Sequence, residues 1–226
     1  MTDIHTHILP LADDGSRSEE ESLKMIETEI RGGVTEVIFT PHYSPRRGYT
    51  RQAKELIVAY ERFCSAVRAK GYAISLGLGQ EIEYGFSAEI PGMLERGELL
   101  TLNKTEKVLL EFSAFRRPED LTEIGYRFSL YGYTVIVAHA ELYPWMREED
   151  LQALKADGCL IQIDGGSLLE GMGSERKKRA KRLLASGIAD YVASDIHWFR
   201  PCDWDKIKRK VKKYAAGKNL FRSITE

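Results

Sequence analysis

Thr2-Asp3-Ile4-His5-Thr6-His7-Ile8-Leu9 is the stretch on which the fold reading turns. Its apolar and β-branched residues predict a strand, and residues two apart on a strand face the same side. His5 and His7 therefore share a face, with Asp3 on that face too, and both imidazoles can reach one ion. Apolar runs of the same kind recur at residues 35–40, 73–78, 107–112, 134–138, 160–164 and 191–194. Amphipathic segments separate and follow them at 18–31, 50–70, 88–96, 119–130, 148–156, 175–185 and 203–215. Ser18 with Glu21 reads as a capping box, Gly32-Gly33 and Gly71 as helix stops, and Asp203 as the cap of the last helix.

Strict strand and helix alternation predicts an α/β fold of parallel strands joined by right-handed crossovers. Strands that are apolar throughout predict a sheet covered on both faces. A closed barrel and a doubly wound open sheet both satisfy these conditions. The polar residues favour the barrel. His5, His7, His42, Glu81, Glu111, His139, Asp195 and His197 all lie at or just beyond the C-terminal end of an apolar run. A barrel gathers those ends on one rim, whereas an open sheet strings them along a line.

All five histidines belong to that set, so none is left for ordinary surface or core use. Asp195-Ile196-His197 repeats the spacing of Asp3-Ile4-His5 and carries the same logic. Glu81 and Glu111 each follow an apolar run directly, and a carboxylate entering a barrel mouth needs a cation or a hydrogen-bonding network. A salt bridge to a rim Lys or Arg is the bland reading for either one alone. Asp14 is a weaker candidate, because Asp13-Asp14-Gly15 taken by itself reads as a helix-entry turn. These donors are nitrogen and oxygen with no sulfur, too many for one ion and enough for two or three divalent ions. Manganese, zinc or iron suit such donors, and copper(I) does not. Paired ions of that kind serve phosphoester hydrolysis, where hydroxide held between them attacks phosphorus.

Composition bounds the alternatives. With 43% hydrophobic and 30% charged residues over 226 residues, the chain reads as one soluble domain with a single large core. No apolar stretch approaches the length of a membrane span and no signal peptide is read, so the expected location is cytoplasmic. Nothing in the sequence points to nucleic acid. Cys64, Cys159 and Cys202 are widely spaced and unpaired by motif, which excludes a disulfide framework or zinc knuckle. The positions six residues after them are Lys70, Gly165 and Lys208, so a Cys-x5-Arg cysteine phosphatase is excluded as well. Charge is unevenly spread: residues 173–226 carry fifteen Lys/Arg against six Asp/Glu. Such runs are usually solvated helix faces, and a docking patch for an acidic partner or membrane surface is the alternative.

Taken together, His5-Thr6-His7-Ile8-Leu9-Pro10 running into Asp13-Asp14-Gly15, Thr40-Pro41-His42-Tyr43, Gly79-Gln80-Glu81-Ile82, Leu110-Glu111-Phe112, Ala138-His139, Gln162-Ile163-Asp164-Gly165-Gly166-Ser167 and Ala193-Ser194-Asp195-Ile196-His197 resemble the PHP (polymerase and histidinol phosphatase) superfamily. Within it the chain is most similar to the bacterial manganese-dependent protein-tyrosine phosphatases of capsule and exopolysaccharide loci. The resemblance implies a distorted seven-stranded (β/α)7 TIM-like barrel and three ions. It places His5, His7, Glu81 and Asp195 on the first ion, Glu81, Glu111 and His139 on the second, and Asp14, His42 and His197 on the third. The implied substrate is the phosphotyrosine tail of an autophosphorylating bacterial tyrosine kinase, which the basic C-terminal third could steer. Relatives carry a phosphate-binding arginine where Leu142 stands, and reach an Arg-Pro pair over a longer loop than the one before Arg200-Pro201. Arg46, Arg47 and Arg200 are the candidates to supply that charge, and His42 to supply a proton. Tyr43, Tyr49, Trp198 and Phe199 are candidates to flank an aromatic substrate. The competing readings are a histidinol-phosphate or other small-molecule phosphatase using the same metals, and a non-catalytic metal-binding regulator.

Overall fold

The computed structural model describes residues 1–85, 87–200, 202–215 and 217–225, so Pro201 of the Arg200-Pro201 pair lies outside the described residues. Every paired strand is parallel. Strands β1 (Thr2–Thr6), β2 (Glu36–Phe39) and β4 (Ser75–Leu78) form one sheet in the order β1-β2-β4. Strands β3 (His42–Tyr43), β5 (Glu81–Glu83), β6 (Lys107–Glu111), β7 (Thr134–Val137), β8 (Leu160–Asp164) and β9 (Tyr191–Ala193) form the other, in that order. The first and last strands meet as well. Asp195 N donates to His5 O at 3.0 Å, and His7 N donates to Ile196 O at 3.1 Å.

Local chemistry explains the two short strands that the sequence reading missed. Pro41 has no N–H to give a ladder, and it separates β2 from β3. Gly79 and Gln80 separate β4 from β5. A Cβ on Gly79 would lie 3.0 Å from Leu102 Cα and 3.2 Å from Thr101 O, so a side chain there would crowd neighbouring backbone. Gln80 is buried and turns its amide to backbone groups, donating to Arg51 O at 3.0 Å and accepting from Leu100 N at 2.9 Å.

Helices α1 (Glu19–Arg31), α2 (Ala53–Ala69), α3 (Ile90–Glu95), α4 (Ile124–Ser129), α5 (Glu148–Ala156), α6 (Glu175–Ala185) and α7 (Trp204–Tyr214) connect or follow the strands. Ser18 caps α1 by accepting from Glu21 N at 3.1 Å. The reciprocal half of the expected capping box is absent, because Glu21 accepts from Arg17 N at 2.8 Å instead. The main core lies between strands and helices and includes Val37, Phe39, Val108, Leu110, Val135 and Val137. Alternate residues Ile4, Ile38, Leu109, Ile136 and Tyr191 pack on one another from the opposite strand faces. Among the described residues no helix is long and apolar enough to cross a membrane.

One expectation for β1 fails. The register against β2 shifts between Asp3 and Thr6, so simple alternation does not run through this stretch. Asp3 accepts from Ser194 N at 3.0 Å and lies beside buried Glu29 of α1, away from the pair formed by His5 and His7. Burial raises its carboxyl to about 6, against those hydrogen bonds.

Candidate metal centre

The strand ends bring together most of the residues that the sequence singled out. Glu81 is wholly buried and stands at the centre. Its Oε1 receives His139 Nε2 at 2.8 Å. Its Oε2 lies 3.3 Å from His5 Nε2, 3.3 Å from His7 Nε2 and 2.7 Å from His42 Nδ1. That oxygen nevertheless makes no hydrogen bond. His5 Nε2 and His7 Nε2 face each other at 3.2 Å, and Asp195 Oδ1 is 3.6 and 3.2 Å from them. Imidazole nitrogens converging on a buried, unbonded carboxylate oxygen fit a bound cation, which would satisfy all of them at once.

A second grouping joins His7, Asp14, His42 and His197. Asp14 Oδ1 is 3.5 Å from His42 Nε2 and 3.7 Å from His197 Nε2, so the turn residue does face the centre. A third joins His42, Glu81 and Glu111. His139, expected with Glu81 and Glu111, stands 3.9 Å from Glu111 Oε1, while His42 reaches Glu111 Oε2 at 3.8 Å. His42 thus borders two groupings where one was expected. His139 (φ 31°) and Asp195 (φ 48°) hold left-handed backbone, a strained conformation for residues with a Cβ that recurs at functional sites.

Several residues that orient this cluster were missed from the sequence or given no role. Asp13, set aside beside Asp14, is buried and receives His7 Nδ1 at 2.6 Å, His42 N at 2.9 Å and Gly15 N at 2.9 Å. This fixes Nε2 of His7 toward the cluster. Gln162 Oε1 sits 3.3 Å from His5 Nδ1 and accepts from His139 N at 2.7 Å, and its amide donates to Asp164 at 3.0 Å. Tyr143 hydroxyl lies 3.1 Å from His139 Nδ1. An Asp directly before a ligand candidate in the same turn, or a Gln within an apolar strand, was the available signal.

Electrostatics follow the geometry. Burial alone would lower the imidazoles, but the Glu81 carboxylate outweighs it, raising His5 and taking His139 to about 10. His7 is raised well above its ordinary value, with Asp13 the leading cause against burial. Glu81 and Asp195 are held well below the usual carboxylate range against burial, the former mainly by His5 and His42 and the latter by His7 and His5. Glu111 goes the other way, pushed up by burial and by neighbouring Glu81.

The arginine candidates separate. Arg47 bonds to Glu111 Oε2 and lies 3.1 Å from His42 Nδ1 through Nη2, at the edge of the cluster. Arg46 instead donates to Gly85 O at 2.7 Å and pairs with Glu83 at 3.5 Å. Arg200 bonds to Asp195 Oδ2 and is 3.8 Å from Asp164. Tyr49 stacks on the His42 ring at 5.6 Å, and Phe199 lies 5.1 Å from His197. Trp198 lies under Arg17, whose Cζ is 3.5 Å from the ring. Tyr43 corrects the sequence reading, since it is buried in the main core.

The chain is similar to the tyrosine-protein phosphatase YwqE of Bacillus subtilis (strain 168), with 32% identity over 200 residues covering 87% of this chain and 77% of the relative. A crystal structure from the pair YwqE of Bacillus subtilis and CpsB of Streptococcus pneumoniae, described as unique metal-dependent tyrosine phosphatases, superposes with a TM-score of 0.84 at 27% identity. It covers 99% of this chain and 97% of that one. Histidinol phosphate phosphatase from Lactococcus lactis shares the fold at a TM-score of 0.59 and 12% identity, covering 97% and 95% of the two chains. The profile described as capsular polysaccharide synthesis, CpsB/CapC, matches residues 1–224, and the chain belongs to that family.

Proposed function

We propose that this chain is a metal-dependent protein-tyrosine phosphatase whose substrate is the phosphotyrosine tail of an autophosphorylated bacterial tyrosine kinase in capsule or exopolysaccharide synthesis. Residues 1–226 act in this reading as one PHP-type domain. Its fold is a distorted seven-stranded (β/α)7 barrel in which β2 with β3, and β4 with β5, each count as one interrupted strand. The free thiols of Cys64, Cys159 and Cys202 suit a cytoplasmic location. The observation that carries the reading is the convergence of His5, His7, His42 and His139 on Glu81 in a chain of the CpsB/CapC family.

Three divalent ions, manganese by preference, are assigned to His5, His7, Glu81 and Asp195; to Glu81, Glu111 and His139 with His42 in reach; and to Asp14, His42 and His197. Bound there, they would supply Lewis acidity and a water of lowered pKa. The chain's own groups do the rest. Asp13, Gln162 and Tyr143 hold the ligating imidazoles in place. Arg47 leaves Glu111 to grip two phosphoryl oxygens, a task that suits a planar guanidinium. Arg200 neutralises Asp195 and borders the same rim. Tyr49 offers a ring against which a substrate phenol can stack. A phenolate of pKa near 10 leaves without a strong acid, so His42, with both ring nitrogens turned to the ligand cluster, is given no proton to deliver. Glu81→Gln tests the reading: loss of both bound metal and phosphotyrosine hydrolysis supports it, and retention of both overturns it.

A further inference from the structure

Helices α6 and α7 spend their apolar faces on the core, through Ala180, Leu183 and Leu184 on one and Trp204, Ile207 and Val211 on the other. Their remaining faces are basic, and part of that charge is used inside the molecule: Arg176 and Lys177 reach Glu170, Arg179 donates to Met146 O and Lys208 to Gly32 O. Glu175 pairs with Lys178, Asp203 with Lys206 and Asp205 with Lys208. Among the described residues, no carboxylate lies within ion-pair distance of Lys181, Arg182, Arg209, Lys210, Lys212 or Lys213. The two helices also meet at one point on this surface. Tyr214 of α7 has Lys181 Nζ of α6 5.3 Å from its ring and Lys213 Nζ 5.5 Å from it. Lys210 is one helical turn before Tyr214 and so shares its side. Three lysines therefore gather about one tyrosine, and among the described residues none of them has a carboxylate partner.

We infer that this face is a docking surface for an acidic polypeptide segment of the substrate protein, centred on Lys181, Lys210, Lys213 and Tyr214. The inference rests on the phosphatase reading for its substrate, while the surface itself rests on charge and position. An acidic polypeptide complements the face, whose lysines donate to carboxylates and whose tyrosine can join them. A lipid bilayer is the less suited occupant. Helices that lie in a membrane interface insert Trp, Phe or Leu, and none of the exposed large hydrophobic residues belongs to α6 or α7. The face also connects to the mouth. α7 begins at Trp204, seven residues after His197, and its eleven residues descend roughly 16 Å at about 1.5 Å each. An extended peptide covers that distance in about five residues. The favoured substrate thus carries its acidic residues about five or more positions from the phosphotyrosine.

The test uses the full chain loaded with manganese and two phosphotyrosine peptides, one short and neutral, the other extended by an Asp/Glu run beginning five residues from the phosphotyrosine. The native chain is expected to take the extended peptide at low salt with a KM about tenfold lower than the short one, an advantage lost at high salt. K181E/K210E/K213E is expected to abolish the difference with kcat and the short-peptide KM unchanged, and the milder Lys→Gln triple to halve it on a logarithmic scale. Fluorescence anisotropy of the Asp/Glu run alone, lacking phosphotyrosine, reads docking whether or not any peptide is hydrolysed. Binding by the native chain and not by the triple variant supports the surface even if the phosphatase reading fails. An undiminished peptide preference in both triple variants overturns the inference. So does charge-dependent binding to phosphatidylglycerol vesicles with no binding of the acidic run, which would give the face to lipid.

Discussion

Asp13→Asn separates a carboxylate that orients ligands from the neighbouring Asp14 that would be one. The Asp13 side chain is wholly shielded from solvent, and its two oxygens serve three partners: His7 Nδ1 at 2.6 Å, His42 N at 2.9 Å and Gly15 N at 2.9 Å. An amide has one accepting oxygen and one donating nitrogen, so the isosteric variant must turn its NH2 toward a group that itself donates. At least one buried donor loses its partner, at about 1–3 kcal/mol. His7 also loses the anion that keeps its proton on Nδ1 and its Nε2 lone pair toward Glu81. Removing an outer partner of this kind costs about 10–100-fold in metal affinity, or about 1.4–2.7 kcal/mol. The assay is manganese binding by competition with a fluorescent chelator, with hydrolysis of a phosphotyrosine peptide measured beside it. Asp13→Asn should lower affinity within that range even though Asp13 reaches no other member of the cluster than through His7 and His42. Affinity within twofold of the native chain would refute the role given to Asp13.

Other perturbations follow from the same geometry. Arg47→Ala should lower kcat/KM for the peptide by about 10–100-fold, the worth of a charged hydrogen-bonded pair, while Arg46→Ala, turned toward Gly85 and Glu83, should change it less than about threefold. Gly15→Ala would put a Cβ 2.0 Å from His7 O and 2.3 Å from His7 Cβ, where backbone cannot yield, so urea unfolding should show a loss of about 3 kcal/mol and metal content should fall. Metal uptake should release protons at pH 7, because His5 and His7 are raised and His139 sits at about 10 without metal. A group that must shed its proton to bind gives an affinity that climbs with pH below its pKa and falls as pH drops. Calorimetry in buffers of different ionisation enthalpy checks this, and a heat independent of buffer contradicts it.

The sequence was most legible where periodicity and ligand chemistry coincide. α5 and α6 match their expected spans at both ends, and α1 begins after the expected cap Ser18. His5, His7, Asp14, His42, Glu81, Glu111, His139, Asp195 and His197 were named from strand ends and resemblance, and the fold brings them to one rim. Features set by contacts between distant segments were not legible. Strands β3 and β5 have two and three residues, too short for any pattern, and exist because Pro41 and Gly79-Gln80 interrupt longer runs. The β1 register shift depends on β2 and displaced Asp3 from the face that alternation assigned it. Gln162 reached His5 across 157 positions of chain, so its place within an apolar strand marked the residue but not its partner. Tyr43 looked like a rim residue from its neighbour His42, yet strand alternation sends it into the core.

The most direct test of the account is phosphotyrosine-peptide hydrolysis by the metal-stripped chain, titrated with manganese and with zinc, beside histidinol phosphate. The account predicts no turnover without metal, saturable restoration by manganese, and a rate on the peptide well above that on histidinol phosphate. Metal-independent turnover, or restored turnover confined to histidinol phosphate, would contradict it.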